Sequence, residues 1–193
     1  MSASPPPVDP GPRAAAERSL ARAVGVAKVS SGVMLALGAL STLVSLRAPL
    51  SASFAISVAV VGNGWLERHF GRRLATREAR APVRLALNQA TLGLEVMAYA
   101  AWQAQAIGPA QIEGVLRRPL VAPLLAALDP AVLGELLEQL PVAVRVTYLV
   151  IGAATFLGCL ATAGYYLSRS RVLRLLAGAG MPSRPPDPPS ISP

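Results

Sequence analysis

The sequence predicts an all-α membrane protein with four transmembrane helices in an antiparallel bundle. Three observations predict it. The chain is 53% hydrophobic and 15% charged, with a mean hydropathy of +0.48, well to the apolar side of an ordinary soluble domain. Three runs, Val29–Leu46, Ala48–Leu66 and Val146–Ser168, hold no Asp, Glu, Lys, Arg or His. Each reaches the roughly 18 residues that a spanning helix needs. A fourth run, Leu85–Ile107, is as long and carries one acid, Glu95. The expected spans are therefore 29–46, 49–66, 85–107 and 146–168. A soluble bundle would show a polar stripe along each helix, whereas Val29–Leu46 offers only Ser, Thr and Gly beside its apolar residues.

Before the first span, residues 1–12 read MSASPPPVDPGP. They lack a basic segment followed closely by an apolar one, so no cleavable signal is expected and the first span serves as an anchor. Eleven of the 18 prolines fall in residues 1–12 and 182–193. Such segments bury too little apolar surface to fold, and 1–12 and 181–193 are expected to be disordered tails of a single domain, 13–180. Ala14–Lys28 is Ala-rich with spaced Arg, a helical lead-in. The joint Arg47-Ala48-Pro49 is short enough to force the first two spans into an antiparallel hairpin.

The loop between the second and third spans reads ERHFGRRLATREARAPVR. Arg72, Arg73, Arg77, Arg80 and Arg84 recur at helical spacing, with Phe70 and Leu74 placed to dip into lipid. The pattern predicts a basic amphipathic stretch on an anionic membrane surface. Between the third and fourth spans, the segment 108–144 is punctuated by Pro109, Pro119, Pro123, Pro130 and Pro141. It predicts short amphipathic helices. One begins at Asp129, a favoured N-cap, with Pro130 at the first helical position. Its apolar face would be Val132, Leu133, Leu136, Leu137 and Leu140.

The net charge of +8 is explained by where the cations sit. Arg13, Arg18, Arg22 and Lys28 precede or open the first span. Arg68, Arg72, Arg73, Arg77, Arg80 and Arg84 follow the second, and Arg169, Arg171, Arg174 and Arg184 follow the fourth. These fourteen share one side. Only Arg47, Arg117, Arg118 and Arg145 lie on the other. The positive-inside rule then places both termini and the central loop in the cytoplasm. Seventeen of the 18 basic residues are Arg, and with the abundant Ala and Pro this bias suggests a GC-rich bacterial genome, hence a bacterial inner membrane. Topology and attraction to anionic lipids account for the charge without nucleic acid.

Small residues let helices approach closely in lipid. They recur every four residues at Ala154, Gly158 and Thr162, at Ala55, Ala59 and Asn63, and at Gly38 and Thr42. Such lines suit a compact bundle or a homo-oligomer face. Cys159 is the only cysteine, which excludes an internal disulfide. His69 is the only histidine and has no Cys or carboxylate at ligand spacing, so it reads as an interfacial residue and not a metal ligand.

Glu95 is the one residue that asks for chemistry. Asn88, Thr91, Glu95, Tyr99 and Trp102 share a face of the third span, opposite Leu, Ala and Val. The pattern asks for this stripe inside the bundle. A charged residue at mid-membrane costs on the order of 3 kcal/mol to insert, so it is a candidate binding residue by default. It would be either a hydrogen-bonding pin between helices or a proton- or cation-responsive site. No GxSxG, HExxH or Walker pattern is present, and no cofactor fingerprint, so an enzyme is not expected.

The stretches GNGWLERHFGRRL and LALNQATLGLEVMAYAAWQ, within Gly62–Gln103, resemble a loose group of uncharacterised bacterial integral membrane proteins. In that group a helix ending in N-G-W precedes a basic loop and a helix opening with N-Q. The resemblance implies a membrane architecture and no particular activity. Asn63 and Asn88 would lie near matching ends of consecutive antiparallel helices, close enough to bond, and Trp65 would anchor the interface. The functional expectation is a non-catalytic membrane scaffold, or an accessory subunit that meets a membrane-protein partner or a second copy of itself. The alternative is a small proton- or cation-linked transporter or channel using Glu95.

Overall fold

The computed structural model describes residues 11–47, 51–108, 112, 114, 116, 123 and 129–178. They form four long helices: α1 (Pro12–Ser45), α2 (Ala52–Ala75), α3 (Ala81–Ala106) and α4 (Pro130–Gly178). Of the tails expected at 1–12 and 181–193, residues 1–10 and 181–193 lie outside the described residues, as does most of the segment 109–128, whereas Pro12 opens α1.

Three of the four helices extend well past the expected spans. The Ala-rich lead-in fuses with the first span because nothing in it breaks a helix, and Pro12 starts α1 at a position where its missing N–H costs nothing. The Ser51 hydroxyl caps α2, accepting from the Phe54 amide at 3.2 Å. α2 then runs nine residues beyond Leu66 into the basic stretch. It closes in a Schellman turn. Arg77 takes a left-handed φ of 61°, the Glu78 amide donates to the Arg73 carbonyl at 3.0 Å, and the Arg77 amide donates to Leu74 at 3.0 Å.

The stretch expected to form a loop between the second and third spans is divided between two helices and the turn that joins them. Arg72 and Arg73 belong to the last turn of α2. Arg77 and Arg80 lie in the turn, and Arg84 lies in the first turns of α3. Leu74 does not dip into lipid. It is fully buried among α1, α3 and α4 residues, with Phe70 packed beside it. Glu78 ties the turn together through Arg73 at 3.0 Å and Arg84 at 2.9 Å.

The fourth helix corrects a second expectation. The short helix opening at Pro130 does not stop at Pro141. It continues into the fourth span as one element of 49 residues, with Pro141 inside it. A proline removes a single donor and displaces a single carbonyl, which a long helix at an open surface tolerates. At about 1.5 Å per residue α4 is about 73 Å long, more than twice the hydrocarbon thickness of a bilayer. Val132 and Leu137 of the expected amphipathic face are exposed, so that face is not laid against the bundle.

The helices pack as two tight pairs, α1 with α2 and α3 with α4, and glycine sets both distances. A Cβ on Gly38 would fall 2.8 Å from a Val61 methyl, one on Gly64 2.9 Å from Met34, and one on Gly71 3.0 Å from Ala27. In the other pair, a Cβ on Gly152 would fall 2.6 Å from Ala100, and one on Gly93 2.9 Å from Cys159. Gly38 was on an expected small-residue line. The line Ala154, Gly158 and Thr162 does not pack within the bundle. Ala154 and Gly158 are exposed, and a Cβ on Gly158 would meet nothing within 4 Å.

All four helices share one apolar core, and it lies at the Arg-rich end. Ala16, Leu20, Ala23 and Ala27 of α1 meet Leu74, Leu85, Ala86, Tyr166 and Leu173 there. Toward the other end, large apolar side chains face outward, among them Leu37, Leu40 and Leu43 of α1 and Val146, Val150 and Ile151 of α4. Two helices, α1 and most of α4, are long and apolar enough to cross a membrane. Only 22% and 17% of their most apolar windows is buried within the protein.

A polar seam between two helix pairs

Where the two helix pairs meet, the contacts change character. Within each pair the closest approaches are glycine against apolar side chains. Between the pairs lies a line of hydrogen bonds, chiefly between α2 and α3. At one end the Tyr99 hydroxyl meets the Ser53 hydroxyl at 3.0 Å and accepts from the Gln103 amide at 2.6 Å. Midway, the Asn63 amide donates to Glu95 Oε2 at 2.7 Å and to the Ala59 carbonyl at 2.9 Å. At the Arg-rich end, the Asn88 amide donates to the Asn63 carbonyl at 3.1 Å and to Glu67 Oε2 at 3.0 Å. The Tyr166 hydroxyl of α4 donates to Glu67 Oε1 at 2.7 Å.

Two further contacts bring α1 across. The Gln89 amide reaches the Ser30 hydroxyl at 3.4 Å, and Arg169 donates to the Ser19 hydroxyl at 2.6 Å while stacking 4.2 Å over Tyr165. The side-chain periodicity explains the line. Ser53, Asn63 and Glu67 fall on one face of α2, and Asn88, Glu95, Tyr99 and Gln103 on the facing side of α3.

Glu67 is the deepest charged-type group. It is completely buried, as is Tyr166. It sits one residue past the expected second span, among Asn88, Gln89 and Tyr166. Burial pushes its carboxyl above the ordinary glutamate value, and the donors Tyr166, Asn88 and Gln89 pull it partly back. Beside it, Asn88 Oδ1 is buried with no hydrogen-bond partner among the described residues.

The stripe expected on α3 is split by this geometry. Asn88 is buried in the seam, and Glu95 and Tyr99 are half-buried and bonded there. Thr91 is exposed and Trp102 is 49% exposed, so neither lines an interior. The reason is that the seam is a boundary between only two helices, narrower than a stripe enclosed by three. Glu95 meets Asn63 of α2 and makes no hydrogen bond to Thr91 or to a hydroxyl of α4. The expected Asn63–Asn88 contact forms, from side-chain amide to main-chain carbonyl. His69 accepts from Arg73 Nε at 3.0 Å and stacks on Trp65 at 5.5 Å. Among the described residues no three His, Cys, Asp or Glu side chains gather as metal ligands.

Sequence reasoning missed Glu67, counting it as one more charge in a basic loop. A signal for it existed. Glu67 lies four residues after Asn63 and completes the α2 polar face that Ser53 begins. Comparison with protein-family models, curated proteins and solved structures finds no match to this chain.

Proposed function

We infer that this chain is a multi-pass integral membrane protein with four spans and both termini in the cytoplasm, acting as a non-catalytic scaffold or accessory subunit. The outward-facing apolar surface of α1 and α4 carries this reading. The core helices of a soluble protein are mostly buried, whereas the most apolar parts of these two are mostly open, as a lipid-facing surface is. Thirteen cations among the described residues, at the end where the shared core lies, fit the cytoplasmic side of a bacterial inner membrane.

The scaffold role is supported by what the seam does with its polar groups. The carboxylates of Glu67 and Glu95 are both taken up by amides or hydroxyls of neighbouring helices. They act as pins that fix one helix pair on the other. One observation favours the alternative of a proton- or cation-linked transporter. Asn88 Oδ1 is an unused acceptor next to the Glu67 carboxyl, and a cation or hydronium would use both.

Crosslinked pull-down from native membranes tests the first reading. Recovery of a stoichiometric membrane-protein partner, or of a defined homo-oligomer, is the expected result. Recovery as an isolated monomer that conducts ions in reconstituted vesicles would instead establish transport.

A further inference from the structure

On the outer side of the α1–α2 pair, away from the seam, a groove of about 440 Å³ opens at the Arg-rich end. Lys28, Ser31 and Gly32 of α1 and Arg68 and Arg72 of α2 line it. A second groove of about 270 Å³ continues from it. The two share Arg68 and Arg72, and Leu35, Trp65 and His69 complete the lining of the second.

Pairing and position set these cations apart from Arg13, Arg73, Arg77 and Arg84 nearby. Arg73 and Arg84 share Glu78, and Arg77 and Arg13 share Glu17. Lys28, Arg68 and Arg72 have no ion-pair partner among the described residues. Arg68 and Arg72 are one helical turn apart, so they present on one face of α2, opposite Lys28 across the groove. The groove exists because two glycines line it. Gly71 lets α2 settle against Ala27, and at Gly32 a Cβ would meet nothing within 4 Å. The far end is walled by an exposed indole, Trp65, a side chain suited to the depth where headgroup gives way to acyl chain.

Unpaired cations over an apolar channel match a phosphate with a hydrocarbon tail. We propose that this groove binds an anionic phospholipid, its phosphate held by Lys28, Arg68 and Arg72 and an acyl chain lying past Leu35 and Trp65. Arginine suits the phosphate because its planar fork can donate two parallel bonds to two oxygens. The proposal rests on the membrane-embedded reading above.

Trp65 reports on the site directly. The full chain carrying Trp102→Phe, which leaves Trp65 as the only tryptophan, is reconstituted in phosphatidylcholine vesicles. Quenching is then compared between phosphatidylglycerol and phosphatidylcholine brominated on the same acyl positions. A cation near an anionic lipid surface contributes about fivefold in affinity, so three together would give up to about a hundredfold, and brominated phosphatidylglycerol should be preferred by at least about tenfold. Lys28→Gln, Arg68→Gln and Arg72→Gln together should abolish the preference. Gly32→Leu should do so with every charge intact, because it fills the groove. Arg18→Gln, Arg22→Gln and Arg80→Gln together remove the same charge elsewhere at this end and should leave the preference in place.

Equal quenching by both lipids would overturn the proposal, as would equal loss in the two triple variants. Displacement of the lipid by millimolar inorganic phosphate would reassign the groove to a soluble anion. Failure of the protein to float with vesicles would overturn the membrane reading itself, a result distinct from flotation without lipid preference.

Discussion

Removing the Tyr166 hydroxyl tests whether the buried Glu67 cluster holds the two helix pairs together. Tyr166→Phe keeps the ring and deletes one donor, leaving Glu67 Oε1 without its 2.7 Å partner in a site of zero exposure. Interhelical hydrogen bonds in membrane proteins average about 0.6 kcal/mol, because the separated helices find other partners. Here the site is enclosed by protein, so the larger cost of an unsatisfied buried group applies, about 1–3 kcal/mol. Glu67→Leu should cost a similar amount by orphaning the Tyr166 hydroxyl. The double variant removes donor and acceptor together and should be more stable than the sum of the singles by about 1–2 kcal/mol. Denaturant or thermal unfolding in bicelles measures all three. A Tyr166→Phe loss below about 0.5 kcal/mol, or strict additivity, would refute the argument. The pH dependence has a definite sign. Burial raises the Glu67 value in the folded protein, so the unfolded chain gives up its proton first. Stability attributable to Glu67 is full below the ordinary glutamate value of about 4.3. It declines as pH rises from there through the folded value, and Glu67→Gln should remove that decline.

Glu95→Gln should cost less than about 1 kcal/mol, since the amide oxygen can still accept from Asn63 and the site is half-exposed; an ion-flux protein would instead lose a pH-dependent activity in this variant. Gly152→Val should destabilise the α3–α4 pair by about 1–3 kcal/mol through overpacking on Ala100, whereas Gly158→Ala, which meets open space, should be close to neutral or slightly stabilising by helix propensity; unfolding midpoints of the two variants compare them. Single-cysteine labelling in intact cells should leave positions near Arg77 and beyond Arg184 unreacted from outside. Labelling of either from outside would overturn the proposed topology.

The elements were legible in the sequence because each rests on composition over many residues. Long charge-free runs predict helices whatever their neighbours do, and the helices form where those runs lie. Their ends were less legible. The helical lead-in read from Ala14 is part of the first helix, which begins at Pro12, but the second helix ends only at Ala75, since an Arg-rich segment is a good helix former that hydropathy alone reads as loop. Pro141 was read as a break, although a proline costs one hydrogen bond and a long helix absorbs it. The seam was half legible. Asn88, Glu95 and Tyr99 were found from spacing along α3, but Thr91 and Trp102 share that spacing and face outward. Which residues of an arc are covered depends on the partner helix, and a single helix pattern carries no information about how wide that partner is. Glu67 was hidden by its neighbours. Flanked by Leu66 and Arg68, it looks like the first residue of a charged loop until α2 is known to continue.

The division between glycine contacts and hydrogen bonds has a physical reason and a consequence. In lipid the hydrophobic effect does not drive helix on helix, because acyl chains are as apolar as leucine. What remains is close packing and hydrogen bonding. On the membrane reading proposed above, the first prevails within the pairs, where Gly38, Gly64, Gly93 and Gly152 bring backbones together, and the second along the seam between them, beside the apolar core at the Arg-rich end. Close-packed glycine contacts have short range and lose their dispersion energy within a fraction of an ångström of separation, so each pair behaves as a unit. The seam is made of side chains with rotatable bonds and alternative partners, such as Asn63, which already divides its amide between Glu95 and Ala59. Any rearrangement between two states of this bundle should therefore run along the seam, with α1–α2 and α3–α4 moving as rigid bodies. The apolar core at the Arg-rich end, which all four helices share, would act as the hinge. The far end, where Ser53 and Tyr99 carry the contact, would open first. A scaffold keeps that end closed against its partner. A transporter would have to part Asn63 from Glu95 to reach the unused acceptor beside Glu67.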